Sequence, residues 1–429
     1  MRGMPSDVAA VPSPAPDPAF RPVFLGTDPG TYGLARALHQ QYGVRTTLVS
    51  RGQTGAIAHS RILRPVEAGQ DTGRAELLAT LLAEGRSARE REPDVPLVLG
   101  CNSDSHTDLI AQHADQLGEV FAFPRMSPET LEQIADKQQF GQLCERLGLP
   151  TPRTTVVRFG GADEPGWTPE PIDITYPVVA KPANSAHFEN LRFPGAQKVW
   201  FLQTPQEWQD LVEVLVAGGV RQDFLVQEHI PGDDTHQLSI VGYVDRTGRL
   251  TAVATAQVLL GEHDPTTIGN PIAMITTPMP ELMDAAERIL GAVDYWGFAN
   301  IDAKRDPRTG TIYYMEVNPR MGRNSFYATA AGADLAGAMV DDLVLGVQRE
   351  PVRGTREVLY SIVSPAVLPY YVRDGALRRR VLRAARRGVV HPLLYERGNW
   401  RRRAYVMANR LNHAKKLARF YPRPSTTGF

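Results

Sequence analysis

Two carboxylates and one amide are spaced along residues 295–323 as ligands of a hard divalent cation would be. Asp302 lies in one apolar run, and Glu316 and Asn318 lie in a second run after the turn sequence at 306–310. Two β-branched and aromatic runs joined through Pro and Gly predict a β-hairpin. Carboxylate and amide oxygens at one end of a hairpin are donors that Mg²⁺ takes together with substrate phosphates. The segment therefore predicts a magnesium and phosphate site.

The second strand of this hairpin should present its polar side chains on one face. Because side chains alternate along a strand, Tyr314, Glu316 and Asn318 are predicted together, with Met315 and Val317 on the core face. The alternative is an ordinary hairpin with two solvated acids. Glu316 argues against that alternative, because an unpaired charge inside an otherwise apolar strand is costly.

Three polar residues follow the hairpin. Arg320 and Arg323 could hold a developing phosphate charge or a substrate carboxylate, since a guanidinium binds both bidentately. Arg323 and Asn324 are candidate contacts to a substrate carboxylate, with structural pairing inside the protein as the alternative.

Lysine is rare in this chain, which has 47 Lys and Arg residues but only six lysines. Lys137 and Lys181 are therefore unusual choices of cation. Lys181 ends an apolar strand, where a compact ammonium could reach a phosphate as a point charge. The loop at 182–188 could close over a triphosphate through backbone N–H groups. A surface lysine is the alternative for each.

A further apolar strand at 224–228 leads into a polar hinge. Its backbone could offer a donor and an acceptor to a base such as adenine, through residues 227–230. Asp233 or Asp234 could then bind ribose hydroxyls.

The elements that position these residues begin with strands at 22–26, 46–49 and 95–100. Helical patterns at 29–42, 77–91 and 108–117 alternate with them, which predicts a parallel α/β sheet. Ligands in such sheets lie beyond the carboxyl ends of the strands, where Asp28 and the loop at 102–108 are found. Asp28 is therefore a candidate substrate contact. The glycines at 26, 30 and 33 do not form GxGxxG, so a dinucleotide site is not supported.

The middle of the chain carries more strands than helices. A helical region from Ser127 to Gly148 precedes strands at 154–158, 177–181 and 224–228, with a helix at 205–217. A hairpin at 237–244 and 250–260 follows.

Composition is that of a soluble globular protein of 429 residues, with 42% hydrophobic and 22% charged residues. We expect no transmembrane span, because no apolar run reaches about 18 residues. Six prolines among residues 1–22 predict a disordered leader. The only two cysteines, Cys101 and Cys144, favour free thiols in a reducing cytoplasm.

The net charge of zero conceals an asymmetry. Residues 371–429 contain 16 Lys and Arg against two acids, whereas residues 1–370 contain 31 against 45. In the last helix, one face carries a set of apolar residues: Met407, Leu411, Ala414, Ala418 and Tyr421. A basic amphipathic helix can lie on an anionic membrane surface or meet another anionic partner. The alternative is a helix docked on the acidic body. No nucleic acid is expected, since no recognised binding module accompanies the charge.

The order of these segments resembles the ATP-grasp superfamily of ligases over roughly residues 20–350. The resemblance implies a parallel α/β domain at 23–125, an ATP-grasp domain at 126–350 with a lid at 153–228, and an extension with a basic helical tail at 351–429. It also implies site roles. ATP would be bound by Lys137, Lys181, Gln227, Glu228, Ile230 and Asp234; two Mg²⁺ ions by Asp302, Glu316 and Asn318; and the transferring group would be steadied by Lys181 and Arg320.

The opening segment, with Asp28 and the pattern from Tyr32 to Gly43, resembles the D-aspartate ligases that build peptidoglycan bridges. The resemblance implies an ATP-dependent ligase that activates a carboxylate as an acyl phosphate and joins it to a precursor side-chain amine, at the inner membrane face or in the cytoplasm. Two alternatives remain: a ligase that makes a small peptide or natural-product amide, and a nucleotide-sensing protein at the membrane surface.

Overall fold

The computed structural model describes residues 20–183, 188, 191, 193–265, 267–396 and 398–427. Most of the predicted leader lies outside these residues, as do residues 184–187 of the predicted phosphate loop. The described strands form a parallel sheet, a small antiparallel sheet and a larger, mostly antiparallel sheet. The predicted mixed α/β fold class is confirmed.

The first sheet is parallel, in the order β3-β2-β1-β4. Its strands are β1 Arg21–Leu25, β2 Thr46–Ser50, β3 Leu63–Glu67 and β4 Leu97–Cys101. Its helices are α1 Pro29–Tyr42, α2 Gly55–Ala58, α3 Arg74–Arg91, α4 Asp104–Gln112 and α5 Ala114–Gly118. Strand β3 has no apolar sequence pattern and was not predicted, because only its first residue is buried. The single helix predicted at 108–117 was wrong, because the segment forms α4 and α5.

The helical region after the first sheet is also divided, into α6 Pro128–Ala135 and α7 Lys137–Arg146. Asp136 separates them and caps α7, since its carboxylate accepts hydrogen bonds from the backbone N–H groups of Gln138 and Gln139 at 2.9 Å. This cap places Lys137 in the first turn of α7.

The second sheet has the strand order β5-β8-β6-β7. Its strands are β5 Thr154–Val157, β6 Val178–Pro182, β7 Trp200–Leu202 and β8 Phe224–Glu228, with helix α8 Pro205–Ala217. An aromatic core that includes Phe159, Trp200 and Phe224 lies beneath it. Lys181 lies on β6, opposite Leu225 on β8.

The third sheet has the order β13-β12-β9-β10-β11-β15-β16, with β14 beside β10. Its strands are β9 Gln237–Val244, β10 Leu250–Gly261, β11 Pro271–Thr276, β12 Gly297–Arg305, β13 Ile312–Asn318, β14 Val352–Arg353, β15 Leu359–Ser361 and β16 Val389–Val390. Helices α9 Pro280–Gly291, α10 Phe326–Ala331 and α11 Leu335–Val340 accompany it. The predicted hairpins β9–β10 and β12–β13 are both present.

The C-terminal extension contains α12 Leu368–Tyr371, α13 Gly375–Arg387 and α14 Trp400–Phe420. Helix α14 is docked on the body through Arg402, Val406, His413 and Leu417, all buried. Of the three large residues predicted on the apolar face, Met407 and Leu411 are 48% and 69% exposed, whereas Tyr421, just beyond the end of the helix, is buried. Docking therefore uses the opposite side of the helix. None of the helices in the described ranges combines the length and apolar content that a bilayer crossing requires.

Candidate active site

The hairpin β12–β13 brings its two carboxylates face to face. Asp302 is the register partner of Glu316, and Asn300 is the partner of Asn318. These four side chains therefore lie on one face of adjacent strands.

One prediction about this hairpin was wrong. The register shifts between Asp302 and Ala303, so that Ala303 pairs with Tyr314 and Met315 is the extra residue of a β-bulge. The bulge reverses the alternation, and Tyr314 packs in the core with Val317 instead of sharing the face of Glu316.

Hydrogen bonds join the acid pair to its neighbours. Asn318 Nδ2 donates to Asp302 Oδ2 at 3.1 Å and approaches Glu316 Oε1 at 3.5 Å. Lys137 Nζ donates to Glu316 Oε2 at 2.6 Å. The cluster thus contains two acids, an amide and a cation within direct reach of one another.

The two carboxyl groups differ in electrostatic environment. Burial, reinforced by the charge of Glu316, raises the pKa of Asp302 to about 7. The ammonium of Lys137 holds the pKa of Glu316 well below its usual range, although burial acts in the opposite direction. The ammonium of Lys181 lowers this pKa further. Two close carboxylates cannot both ionise at low cost without a compensating cation. The site is therefore electrostatically suited to a further positive charge beside Asp302.

Arg320 links the hairpin to Asp104, the first residue of α4. Its Nε and Nη2 donate to the two carboxylate oxygens of Asp104 at 2.5 and 3.2 Å, and Nη2 also donates to Asn318 Oδ1 at 3.1 Å. The guanidinium is thus fixed in direction next to the carboxylate pair.

Lys181 is close enough to the hairpin for Glu316 and Asp302 to influence its pKa. Burial lowers its pKa to about 8, against the opposing effect of Glu316. The loop predicted to close over phosphates follows it, and residues 184–187 of that loop lie outside the described residues.

Two lysines near the predicted site acids were not predicted as site residues. Lys198 is close enough to influence the pKa values of Glu316 and Lys181, and Lys304 lies on β12 close enough to Asp234 for that carboxylate to influence its pKa. Burial lowers the pKa of Lys304 to about 8. The scarcity of lysine was the available signal, because all four lysines outside the last helix lie near Glu316 or Asp234.

The predicted hinge residues follow β8 in different environments. Gln227 is buried and its Nε2 donates to Thr154 Oγ1 at 2.9 Å, while Ile230 is also buried. Glu228 is half-buried, and its backbone N–H donates to Arg153 O at 2.8 Å.

The two candidate ribose acids are distinguished by their contacts. Asp233 caps a short 3₁₀ turn, where one oxygen accepts from Thr235 and His236. Asp234 borders a cavity of about 100 Å³ that Lys304 also lines. Of the two, Asp234 is the one that lines this cavity.

The predicted substrate contacts lie where the start of α1 approaches the segment after β13. Asp28 caps α1, accepting from the N–H groups of Gly30 at 2.7 Å and Thr31 at 3.2 Å, and it also accepts from Asn102. A Cβ at Gly30 would lie 2.9 Å from the Cα of Arg323, so glycine permits this close approach.

Arg323 and Asn324 differ in availability. Asn324 is buried; its Nδ2 donates to Pro271 O at 3.0 Å and its Oδ1 accepts from Tyr360 Oη at 3.2 Å. Arg323 is half-buried and makes no hydrogen bond or ion pair with another residue in the described part of the chain. Its guanidinium is the better placed of the two for an anionic ligand.

Comparison with solved structures defines the class of fold. The L-amino acid ligase from Bacillus licheniformis is 15% identical, with a TM-score of 0.50 over 76% of this chain and 74% of that chain. The biotin carboxylase domain of the Hydrogenobacter thermophilus 2-oxoglutarate carboxylase, in complex with MgADP, ADP and bicarbonate, is 13% identical, with a TM-score of 0.53 over 78% and 71%. The chain has the ATP-grasp fold. No protein-family model matches it.

A sequence relative defines the family. The D-aspartate ligase of Enterococcus faecium (strain Aus0004) is 31% identical over 329 residues, which cover 76% of this chain and 77% of the relative. The chain belongs to the D-aspartate ligase family of ATP-grasp carboxylate–amine ligases. It is an ATP-dependent ligase that forms carbon–nitrogen bonds.

Proposed function

We propose that this ligase uses Mg-ATP to join a carboxylate of D-aspartate, or of a similar amino acid, to the side-chain amine of a peptidoglycan precursor. The observation that carries the proposal is the opposed pair Asp302 and Glu316, with Lys137 and Lys181 beside it, in a chain of the D-aspartate ligase family. The acceptor is the part of the proposal that rests on the family alone.

The proposed metal ligands are Asp302, Glu316 and the amide of Asn318. The described residues contain no group of three or more His, Cys, Asp or Glu side chains that could enclose a metal. Two carboxylates and an amide instead fit Mg²⁺, which completes its coordination with substrate phosphates and water. We propose two ions. When bound, Mg²⁺ would neutralise phosphate charge and polarise the transferring group.

The protein groups proposed to bind ATP surround the carboxylate pair. Lys137 and Lys181 would contact phosphates, residues 227–230 would hold adenine, and Asp234 would accept hydrogen bonds from ribose. The lowered pKa of the buried Lys181 supports this role, because a bound phosphate would compensate the ammonium for the hydration that burial removes.

The proposed chemistry has two displacements. A carboxylate oxygen of the amino acid attacks the γ-phosphorus, the bond to the β-phosphate oxygen breaks, and ADP leaves. The amine then attacks the acyl phosphate, inorganic phosphate leaves, and the amine loses a proton. Arg320, held in direction by Asp104, would stabilise charge on the transferring phosphoryl group. Arg323 would bind a substrate carboxylate.

We propose that α14 brings the enzyme to an anionic membrane surface or an anionic cell-wall precursor. Trp400, Met407 and Leu411 are exposed on the side of α14 that faces away from the body. Four exposed basic residues lie on the same helix: Arg401, Arg403, Lys415 and Arg419. The sequence has no Asp or Glu after residue 397, so an anionic partner would meet no acid of this segment.

The test is ADP release with Mg-ATP and a panel of D- and L-amino acids, each with and without a lysine-containing precursor peptide. Release that requires both D-aspartate and the precursor is the expected result. ADP release with another pair of substrates would support the proposed ligase chemistry but contradict the proposed substrates. Release that no pair stimulates would overturn the proposal and favour a nucleotide-sensing role.

A further inference from the structure

The turn after β10 is bound by the C-terminal extension on both sides of His263. Glu262 Oε1 lies 3.3 Å from His413 Nδ1, and Asp264 Oδ2 lies 3.2 Å from Lys416 Nζ. We call residues 262–264 the clasped turn. Two ionisable residues on successive turns of α14 thus hold the first and last residues of this turn.

The middle residue of the clasped turn is held by an aromatic stack. The ring of His263 lies against the ring of Tyr421, with centroids 3.5 Å apart and planes 5° apart. Tyr371 stacks on Tyr421 at 5.5 Å, and its hydroxyl donates to Tyr421 O at 2.9 Å. Tyr421 is therefore fixed from its other side, and it restricts the orientation of the imidazole.

The same imidazole contacts the acid that follows the hinge. His263 Nε2 lies 2.9 Å from Asp234 Oδ2, which also accepts from the N–H of Gly261 at 2.8 Å. The side chains of His263 and Asp234 are 5% and 7% exposed. Two donors on one oxygen restrict the rotamer of Asp234, which lines the cavity of about 100 Å³ together with Lys304.

We propose that His263 and Tyr421 are positioning residues for the nucleotide, through which the C-terminal extension sets nucleotide affinity. This inference rests on the proposed function, in which Asp234 binds the ribose. A ligand-binding carboxylate that is already held in its bound rotamer loses less conformational entropy on binding. Without Tyr421 the imidazole can rotate, and Asp234 loses one of its two donors.

Direct binding of MgADP, measured by calorimetry on the full-length chain, tests the inference. Tyr421→Ala should raise the dissociation constant about five- to tenfold, the size expected for a weakened hydrogen bond to a charged group. Tyr421→Phe keeps the stack and should bind like the wild type. In turnover, KM for ATP should rise in Tyr421→Ala while kcat at saturating ATP changes little.

Two further variants separate positioning from general stability. His263→Phe keeps an aromatic ring against Tyr421 but removes the bond to Asp234, so it should weaken MgADP binding as Tyr421→Ala does. It also supplies the test if Tyr421→Ala fails to fold. Lys416→Ala loosens the clasped turn without touching His263, and its affinity should stay near that of the wild type.

The outcomes are distinguishable. Wild-type affinity in His263→Phe, or an equal loss in Lys416→Ala and Tyr421→Ala, would overturn the positioning role while the proposed function stands. A wild-type chain that binds no MgADP would overturn the proposed function and this inference with it.

Discussion

Lys137 Nζ lies 2.6 Å from Glu316 Oε2, and this ion pair joins the first turn of α7 to the carboxylate pair of the hairpin. The two side chains are 14% and 32% exposed, so solvent screens the pair only in part. In the proposed function the carboxylate of Glu316 binds Mg²⁺ and the ammonium of Lys137 contacts a phosphate. We therefore expect Mg-ATP binding to exchange this internal pair for two contacts to the nucleotide complex.

Glu316→Gln should lower turnover by about 10²-fold or more, because the site loses the charge that holds the metal and leaves Lys137 without its partner. ADP release and thermal unfolding are the measurements. Glu281→Gln is the matched control, since Glu281 forms an exposed ion pair with Arg305. A folded Glu316→Gln enzyme with near-normal turnover would contradict the metal assignment.

Lys181→Met should abolish tight MgADP binding yet make the protein more stable at neutral pH. Burial lowers the pKa of Lys181 to about 8, so the folded state holds its proton less tightly than the unfolded state. Below about pH 8 the charged lysine costs stability, and this cost is lost as pH rises toward the ordinary lysine pKa of about 10.4.

The pH dependence of the stability difference between Lys181→Met and the wild type is the control for this prediction. The stability advantage of Lys181→Met over the wild type, measured by urea unfolding, should be largest at neutral pH and should shrink above about pH 8. A variant less stable than the wild type at neutral pH would show that Lys181 stabilises the empty fold.

Arg320→Lys should lower kcat by about tenfold to 10²-fold with little change in stability. A lysine keeps the charge but cannot bond both oxygens of Asp104 and Asn318 at once, as the guanidinium does. Arg305→Lys, at an exposed ion pair, is the control. Equal kcat in the two variants would contradict the proposal that Arg320 stabilises the transferring phosphoryl group.

Met407→Ser combined with Leu411→Ser should weaken binding to anionic vesicles by about tenfold or more, because an interfacial helix binds through its buried apolar area. Co-sedimentation with anionic and neutral vesicles is the measurement. Asn409→Ser with Asn412→Ser changes two other exposed positions of α14 and should bind as the wild type does. Identical binding of both pairs would exclude the membrane proposal and favour a precursor contact.

Arg402→Ala should reduce the free energy of unfolding by about 3–5 kcal/mol, because it leaves the buried Glu396 without its cation. The two side chains are 1% and 5% exposed and lie 3.2 Å apart. Arg403→Ala, at the next and exposed position, should stay within about 0.5 kcal/mol of the wild type in urea unfolding. Equal free energies of unfolding for the two variants would show that the buried pair contributes no net stability.

Local chemistry was predictable from the sequence, and long-range packing was not. The β12–β13 hairpin and the face shared by Glu316 and Asn318 follow from alternation and a turn signal. Tyr314 was misassigned because alternation does not reveal a bulge, and the bulge depends on pairing with β12. Lys304 was missed because its neighbour Asp234 is 70 residues away along the chain.

The last helix illustrates the same limit. Its apolar residues were visible in the sequence, but which side docks depends on the surface it meets. That surface includes backbone carbonyls and Glu396, which bind Arg402, so a charged residue is buried while Met407 and Leu411 are exposed. No helical periodicity could have indicated this, because the partners come from other elements.

Arg402 Nε donates to Ala56 O at 2.9 Å, across a sequence separation of 346 residues. Translation at about 5–20 residues per second would therefore separate the two groups by about 20–70 s on the ribosome. During that interval the surface around α2 lacks its final cover, since Ala56 and Ile57 belong to the same buried cluster as Val406 of α14. A chaperone that binds such surfaces would have a defined window in which to act, and it would be displaced when α14 emerges.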